Sequence, residues 1–424
     1  MSSAMDKISY EDLYSRWERG NWRATEIDFR ADREQWHGDF SELERRAALW
    51  NYSMFFHGED AVADDLAPFI DAAPLEEQKY FLATQQVDEA RHSVFFHRFM
   101  EEVVERGDGT IAGALAATEP ELSWGFRRTF AMLDEVTGEL RKDRSRTALA
   151  RAVTMYHFIV EATLAQPGQH FIGDYLERRD LLPGFREGMH HVAQDEQRHI
   201  GFGVKLLHDL AKEDPVEVPA AVADLLREAF PVSVAVFVPP GFNREYTECF
   251  GFTLEEIFTE GARSFESKLR MAGLPLESLP GPQVYPYDLP VEERAERALA
   301  LLRAGYLGEK KTENWRAARD PRSMTLLFDS VRRAVDPRTA PDVPMTLQWE
   351  FPDAEPWHLR LDNGSTAAAP GRAPAPDVEL RLAFDDWVDL TAGRLDPKKA
   401  LATRRLKLKG SPRALWRARG VFGT

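Results

Sequence analysis

The sequence holds one cysteine, Cys249, in 424 residues. A disulfide framework is excluded, and so are a thiolate zinc site and an iron–sulfur cluster, each of which needs several thiolates. Any metal must therefore be held by histidine and carboxylate. No run of about 18 apolar residues exists, so no membrane-spanning helix is expected. The opening stretch MSSAMDKISYEDLYSRWERG is charged and lacks the apolar centre of a secretory signal. These absences together lead to the expectation of a cytoplasmic protein. Positive charge is also in short supply, with 54 Lys and Arg against 70 Asp and Glu and a formal net charge of -16. Such a surface repels phosphate backbones. Nucleic acid is not an expected partner, and anionic membranes are not expected unless a local basic patch exists.

What is present is an ordinary globular composition, 43% hydrophobic and 29% charged, long enough for two or three domains with proper cores. From about residue 40 to 270 apolar residues recur at three- and four-residue steps, the helical period. SELERRAALWNYSMFFHGEDAVADDLAPFI begins with Ser41 and Glu44 at capping-box spacing. PLEEQKYFLATQQVDEARHSVFFHRFMEEVVERG opens after Pro74 and closes near Gly107. SRTALARAVTMYHFIVEATLAQ is expected to break at Pro167-Gly168, and LLPGFREGMHHVAQDEQRHIGFGVKLLHDLAKEDP to stop at Pro215. AAVADLLREAF and TLEEIFTEGARSFESKLRMAG are also helical in pattern. Proline-rich residues near 275–290 read as a linker, followed by the short helix VEERAERALALLRAGYL. PMTLQWEF, WHLRLDNG and DVELRLAF then alternate apolar and polar residues, the strand period. Asn363-Gly364 signals a turn, and AAAPGRAPAP at 367–376 reads as a low-complexity loop. The expected organisation is a helical domain over 1–270, a linker with a short helix over 271–319 and an α+β domain over 320–424.

VDEARHSVFF at 87–96 and QDEQRHIGFG at 194–203 share the pattern Asp-Glu-x-x-His. Residues three apart share a helix face, so Glu89 with His92, and Glu196 with His199, can each hold an ion. A carboxylate can also bridge two ions. A four-helix di-metal site needs one further carboxylate from each of the two other helices. Glu59 in FFHGEDAVADDL and Glu161 in MYHFIVEATLAQ supply them. Glu161 follows the apolar run Phe158-Ile159-Val160, where an unpaired charge costs several kcal/mol. The separations are alike, 30 residues from Glu59 to Glu89 and 35 from Glu161 to Glu196, so the order Glu…ExxH…Glu…ExxH is a two-fold pseudo-repeat. A single ExxH on a helix is common without metal. Two, each preceded by a carboxylate on an apolar helix, point to two ions held by Glu59, Glu89, His92, Glu161, Glu196 and His199. Oxygen and imidazole donors suit iron and manganese. His57, His97, His157, His190 and His191 fall outside this register and are assigned no ligation.

On these motifs, and on LYSRWERGNWRATEIDFRADREQW and YFLATQQVDEARHSVFFHRF, residues 9–270 resemble the ligand-binding oxidases of the ribonucleotide reductase small-subunit branch of the ferritin-like superfamily. The resemblance implies an all-α ferritin-like four-helix-bundle core with extra helices. It implies two metal ions per chain, Fe/Fe or Mn/Fe, that react with oxygen. Glu59, Glu89 and His92 would hold one ion and Glu161, Glu196 and His199 the other, with Glu carboxylates bridging. It further implies a tyrosine–valine ether cross-link beside the metals, at the positions of Tyr156 and Val62. A long-chain fatty acid-like ligand in a pocket reaching the metals, an external electron donor and a homodimer complete what it implies. In this branch an Asp at the position of Asp195 hydrogen-bonds a metal-ligating His and fixes its ring; a solvent-facing helix Asp is the other reading of Asp195. Reductases store a tyrosyl radical four residues after the first ligand His, where this chain has Phe96, although a subset of reductases also has Phe there. The stretch GSPRALWRARGVFGT lacks the tail Tyr that reductases use. Both departures favour an oxidase.

PDVELRLAFDDWVDLTAGRLDPKKALATRRLKLKGSPRAL resembles a sterol carrier protein type 2 domain, and the likeness spans 320–424. It implies a five-stranded sheet with helices around an apolar lipid-binding tunnel; a role in packing or dimer contacts alone is the other possibility. Trp349, Trp357, Trp387 and Trp416 read as core. The function expected is a di-metal, oxygen-activating oxidase or oxygenase acting on an apolar, lipid-like molecule. The alternatives are a ribonucleotide reductase small subunit and a non-catalytic metal- and lipid-binding protein.

Overall fold

Caps in the sequence set where the first helices begin. In a computed structural model describing residues 5–279, 286–310, 315–362 and 364–422, helix α1 spans Tyr10–Arg19 behind a Ser9 cap, and α2 spans Arg30–Gly38. Helix α3, Glu42–Asp65, opens with the expected capping box, Ser41 and Glu44 each accepting the other's backbone N–H. After α4 (Ala67–Ala72), α5 runs over Glu76–Phe99, continues as a π turn over Met100–Val104 and stops at Glu105 in the left-handed region. Helices α6 (Ile111–Thr118) and α7 (Trp124–Leu140) lead to α8, Arg146–Val153. The chain then continues as a π-helix over Thr154–Ala165, then α9 over Gln166–Arg179 and α10 over Pro183–Glu213. Helices α11 (Glu217–Ser233), α12 (Glu245–Glu248) and α13 (Leu254–Met271) follow.

The chain divides into two compact units, Met1–Ala229 with Val236–Pro280, and Phe230–Ala235 with Gly281–Thr424. In the first, α3, α5, α8 with its π continuation, and α10 pack on one another as a four-helix core. Phe56, Phe81, Phe95, Phe96, Phe158 and Phe185 are fully buried there. Each contributes roughly 1.5–3 kcal/mol, which offsets the cost of the charged groups at the centre of the bundle. Asp32 on α2 accepts the backbone N–H groups of Gly184 (2.9 Å) and Phe185 (2.6 Å), so a neighbouring helix caps α10. The break expected at Pro167-Gly168 does not occur. Pro167 falls at the junction between π and α hydrogen bonding, in the first turn of α9, where the missing N–H costs little.

In the second unit, α14 (Val291–Arg303) and α15 (Pro321–Arg333) precede a mixed sheet. Its strands are β1 (Met345–Glu350), β2 (Trp357–Asp362), β3 (Ser365–Pro370), β4 (Val378–Arg381) and β5 (Lys407–Gly410), in the order β3-β2-β1-β4-β5. The β1–β4 pair is parallel and the others antiparallel. Helices α16 (Phe384–Thr391), α17 (Pro397–Ala402) and α18 (Pro412–Ala418) complete this α+β unit. Alternation puts Leu347 and Trp349 of β1 and Trp357 and Leu359 of β2 on one buried face. Phe328 of α15 stacks on Trp357 at 4.5 Å.

Two expectations are corrected here. The first part of the loop read at 367–376 is strand: Ala367, Ala368, Ala369 and Pro370 pair with β2, their small side chains fitting a sheet edge. Trp416 is not core; it stands 73% exposed on α18. Asn363 of the expected turn, and residues 280–285 and 311–314 of the expected linker, lie outside the described residues. Gly364 adopts φ 80°, which a turn at this point requires. Among the described residues no helix is long and apolar enough to cross a membrane.

Candidate metal centre

Glu59 comes from α3, Glu89 and His92 from α5, Glu161 from the π-helix, and Glu196 and His199 from α10; all six are buried. Their donor atoms form two groups, Glu59, Glu89, His92 and Glu196, and Glu89, Glu161, Glu196 and His199. Within each group the atoms lie within 4.8 Å of one another. Glu89 and Glu196 belong to both, the placement a bridging carboxylate needs. His92 Nδ1 lies 3.2 Å from Glu59 Oε2 and 3.3 Å from Glu89 Oε2. His199 Nδ1 lies 3.1 Å from Glu89 Oε1 and 3.6 Å from Glu161 Oε1. The structure thus brings together all six residues that the spacing singled out.

Behind the rings the pairing crosses over. His92 Nε2 meets Asp195 Oδ2 at 3.1 Å, and His199 Nε2 meets Asp88 Oδ2 at 3.1 Å. The acid of each Asp-Glu-x-x-His motif therefore serves the imidazole of the other. In a neutral ring, a carboxylate at Nε2 keeps the proton on that nitrogen, so that Nδ1 would be the nitrogen offered to a metal ion. Asp195 is thus not solvent-facing. Arg91 and Arg198 each hydrogen-bond both acids, and Trp17 and Trp22 donate their indole N–H to Asp88 and Asp195, both at 2.8 Å. The contact of Asp195 with a ligand imidazole was expected from the sequence; the Asp88 counterpart, the two arginines and the two indoles were not. The signal for Asp88 and the arginines was present, since both motifs read Asp-Glu-x-Arg-His.

The π-helix decides what accompanies Glu161. Its i→i+5 bonds, such as Gln166 N–H to Glu161 O, put residues five apart on one face. Tyr156 and Glu161 are five apart; an α-helix would turn them roughly 140° from each other. Both reach Gln85, whose Nε2 donates to Tyr156 Oη at 3.0 Å and Glu161 Oε1 at 2.9 Å. The Tyr156 hydroxyl donates to Glu89 Oε1 at 2.7 Å. Burial, then the charge of Glu89, pushes the Tyr156 hydroxyl well above its usual range, so it stays protonated.

Four buried carboxylates in one cluster need counter-charge. Burial drives Glu59 up to about 8 and drives Glu161 well above the carboxylate range, with Glu196 adding to the effect at Glu161. At His92 and His199 burial opposes the charged ring, but Glu59 at the first and Glu89 at the second outweigh it and hold both rings well above the usual value. The cluster gathers protons where positive charge is wanted. Glu89 Oε2, Glu161 Oε2, Glu196 Oε2 and His199 Nδ1 have no hydrogen-bond partner, a costly state for buried polar atoms. Two divalent cations would balance four carboxylates and two neutral imidazoles and engage those atoms. The donor set is that of iron or manganese, so the residues fit such ions.

The cluster opens on a cavity of about 530 Å³, its mouth included, whose lining contains Glu59, Glu89, Glu161 and Glu196. The rest of the wall is apolar: Met54, Phe55, Val62 and Gly58 from α3, Phe126 and Phe130 from α7, and Val160, Leu164, Val236 and Phe237. Tyr156 and Val62 line this same space.

Residues 4–236, over half of the sequence, match the family described as ribonucleotide reductase, small chain. The chain belongs to the ribonucleotide reductase small-chain family. Solved structures similar to this family member include an R2-like ligand-binding oxidase from Sulfolobus acidocaldarius. It is 26% identical, with 64% of this chain and 92% of that chain covered and a TM-score of 0.54. A glycine-to-phenylalanine variant of an R2-like ligand-binding oxidase, with an anaerobically reconstituted Mn/Fe cofactor, matches at 25% identity. That comparison covers 62% of this chain and 94% of the other, with a TM-score of 0.53. A valine-to-leucine variant with the same cofactor matches at 25%, over 62% and 93%, with a TM-score of 0.54. Residues 335–422 match the SCP-2 sterol transfer family, so this small-chain family member carries a sterol-carrier-like α+β domain after its ferritin-like bundle.

Proposed function

We propose that this protein is a di-metal oxidase or oxygenase that activates oxygen beside an apolar, lipid-like ligand. The observation that carries the reading is a buried cluster with unpartnered carboxylate oxygens lining an otherwise mostly apolar cavity. Two iron ions, or one manganese and one iron, would supply oxygen activation and oxidation of an otherwise unreactive C–H bond. Glu59, Glu89 and His92 would hold one ion and Glu161, Glu196 and His199 the other, with Glu89 and Glu196 shared between the two groups. Asp195 and Asp88 fix the imidazoles through Nε2–H. Phe55, Phe126 and Phe130 keep water from the reacting end and bind the alkyl part of the ligand. Phe96 is fully buried against the rings of Phe55, Phe95 and Phe185 and offers no hydroxyl for a stored radical, which favours oxidase over reductase chemistry.

An ether link between Tyr156 Oη and Val62 belongs to the same reading. Forming it removes the phenolic hydrogen, now directed at Glu89, and one hydrogen of Val62, with oxygen as the two-electron acceptor. The sterol-carrier-like domain would hold or deliver the apolar ligand. In support, the buried indole N–H groups of Trp349, Trp357 and Trp387 have no acceptor, and a lipid oxygen would provide one. The test is aerobic loading of the full chain with iron and manganese, followed by intact mass and turnover of added long-chain fatty acid. A loss of about two hydrogens, absent in Tyr156→Phe, is expected together with an oxidised product. An unchanged mass rules out the link, and metal loading without product rules out the enzyme reading in favour of a binding protein.

A further inference from the structure

The chain carries -16 overall, yet residues 397–419 hold nine Lys and Arg and no Asp or Glu. This stretch comprises α17, β5 and α18. Among the described residues, Lys398, Lys399, Arg404, Lys407, Arg413 and Arg417 form no ion pair. Only part of the charge is locally answered: Arg405 meets Asp386, and Lys409 lies 3.6 Å from Glu379, which Arg381 also contacts. Interleaved with the cations are three large apolar side chains in water, Leu401 (43% exposed), Leu408 (42%) and Trp416 (73%).

The sheet shows how Leu408 comes to be there. The cross-strand row Trp357, Trp349, Leu380, Leu408 runs over β2, β1, β4 and β5. It begins buried, is half-buried at Leu380 and ends exposed on the edge strand, every residue of which faces solvent. Helix α18 packs beside β4 and β5 and carries Trp416. An apolar strip thus leaves the core at this edge and enters a field of unpaired cations.

We propose that residues 397–419 form a docking face for an anionic lipid bilayer. Cations reach the phosphate and carboxylate headgroups, while indole and leucine side chains enter the boundary below them, the division of labour at interfacial membrane sites. A nucleic acid would use the charge but leave Leu401 and Leu408 without a role. The face is independent of the metal cluster, and its test reads lipid binding alone.

The experiment sediments the full metal-loaded chain with vesicles of phosphatidylcholine, alone or mixed with phosphatidylserine. Binding to the mixed vesicles should be at least about tenfold tighter and should weaken with added salt. Brominated lipid should quench tryptophan emission, and Trp416→Phe should remove most of that quenching. The combined variant Lys407→Glu, Arg413→Glu, Arg417→Glu should lose more than about tenfold in binding, with unchanged melting temperature and metal content. Should that variant misfold, Arg413→Gln with Arg417→Gln should give a smaller loss in the same direction. Equal binding to neutral vesicles, full binding by a folded charge variant, tighter binding to duplex RNA than to vesicles, or a charge variant that loses only self-association would each overturn the proposal.

Discussion

Asn in place of Asp195 preserves shape and removes the charge that four donors share. Asp195 accepts from Trp22 Nε1 at 2.8 Å, His92 Nε2 at 3.1 Å and Arg91 at 2.9 Å, and also from Arg198. An amide has one accepting oxygen, and its nitrogen turns two N–H groups towards other donors. Hydrogen bonds to charged groups contribute about 1.5–3 kcal/mol each, and breaking a buried ion pair costs about 3–5 kcal/mol. Arg91 and Arg198 keep Asp88 as partner, so the expected loss in the metal-free protein is about 3–5 kcal/mol rather than more. Urea unfolding measures it. The same change frees the His92 ring, and loss of such a ring-fixing partner typically weakens metal binding 10–100-fold. Because the pairing crosses over, the ion held with Glu59 and His92 should weaken, while the ion at Glu161 and His199 keeps the support of Asp88. Asp88→Asn should give the mirror result. Unfolding at the wild-type urea concentration with both ions bound normally, or weakening of the wrong ion, would refute this reasoning.

Further outcomes follow from other contacts. A Cβ at Gly203 would lie 2.3 Å from His157 Cβ on the π-helix, so Gly203→Ala should cost about 1–3 kcal/mol in thermal unfolding; an unchanged melting temperature would show that α10 can move aside. Gly58 lines the cavity, and a Cβ there would sit 3.4 Å from Phe130 Cζ. Gly58→Leu should fill the space and abolish co-purifying apolar ligand, read by mass spectrometry, with metal content unchanged. Glu59 is raised by burial to about 8 in the metal-free cluster, whereas an unfolded Glu titrates near about 4.3. Between those values the unfolded chain releases a proton that the folded chain keeps. The metal-free protein should therefore lose stability as pH rises through this window. Metal ions displace that proton, so the melting-temperature gain on loading should be larger at about pH 8 than at about pH 6; an equal gain at both would contradict the assignment.

The six-residue cluster was legible because a Glu–x–x–His spacing is helix geometry in itself, and because Glu161 sits in an apolar run that tolerates no idle charge. The strands were legible where one face is buried and the pattern alternates, as in β1 and β2. What escaped depends on partners distant in sequence. That Asp195 serves the imidazole of the other motif, that Asp88 does the same for His199, and that two arginines are shared arise only once α5 and α10 lie side by side. The π pitch that aligns Tyr156 with Glu161 has no residue signature, and it also carries the helix through Pro167. Helix α7, which gives the cavity Phe126 and Phe130, bears no motif. The alanine-rich β3 is a strand because β2 offers it an edge. A net charge of -16 conceals the basic stretch at 397–419, whose surface is opposite in character to the whole.

The metal content of the purified full chain, with each ion located by anomalous scattering, tests the central claim most directly. The account predicts two ions per chain, iron or manganese, one beside Glu59 and His92 and one beside Glu161 and His199, and loss of metal binding in Glu161→Ala. Fewer than two ions after loading, ions elsewhere, or two ions retained by Glu161→Ala would contradict it.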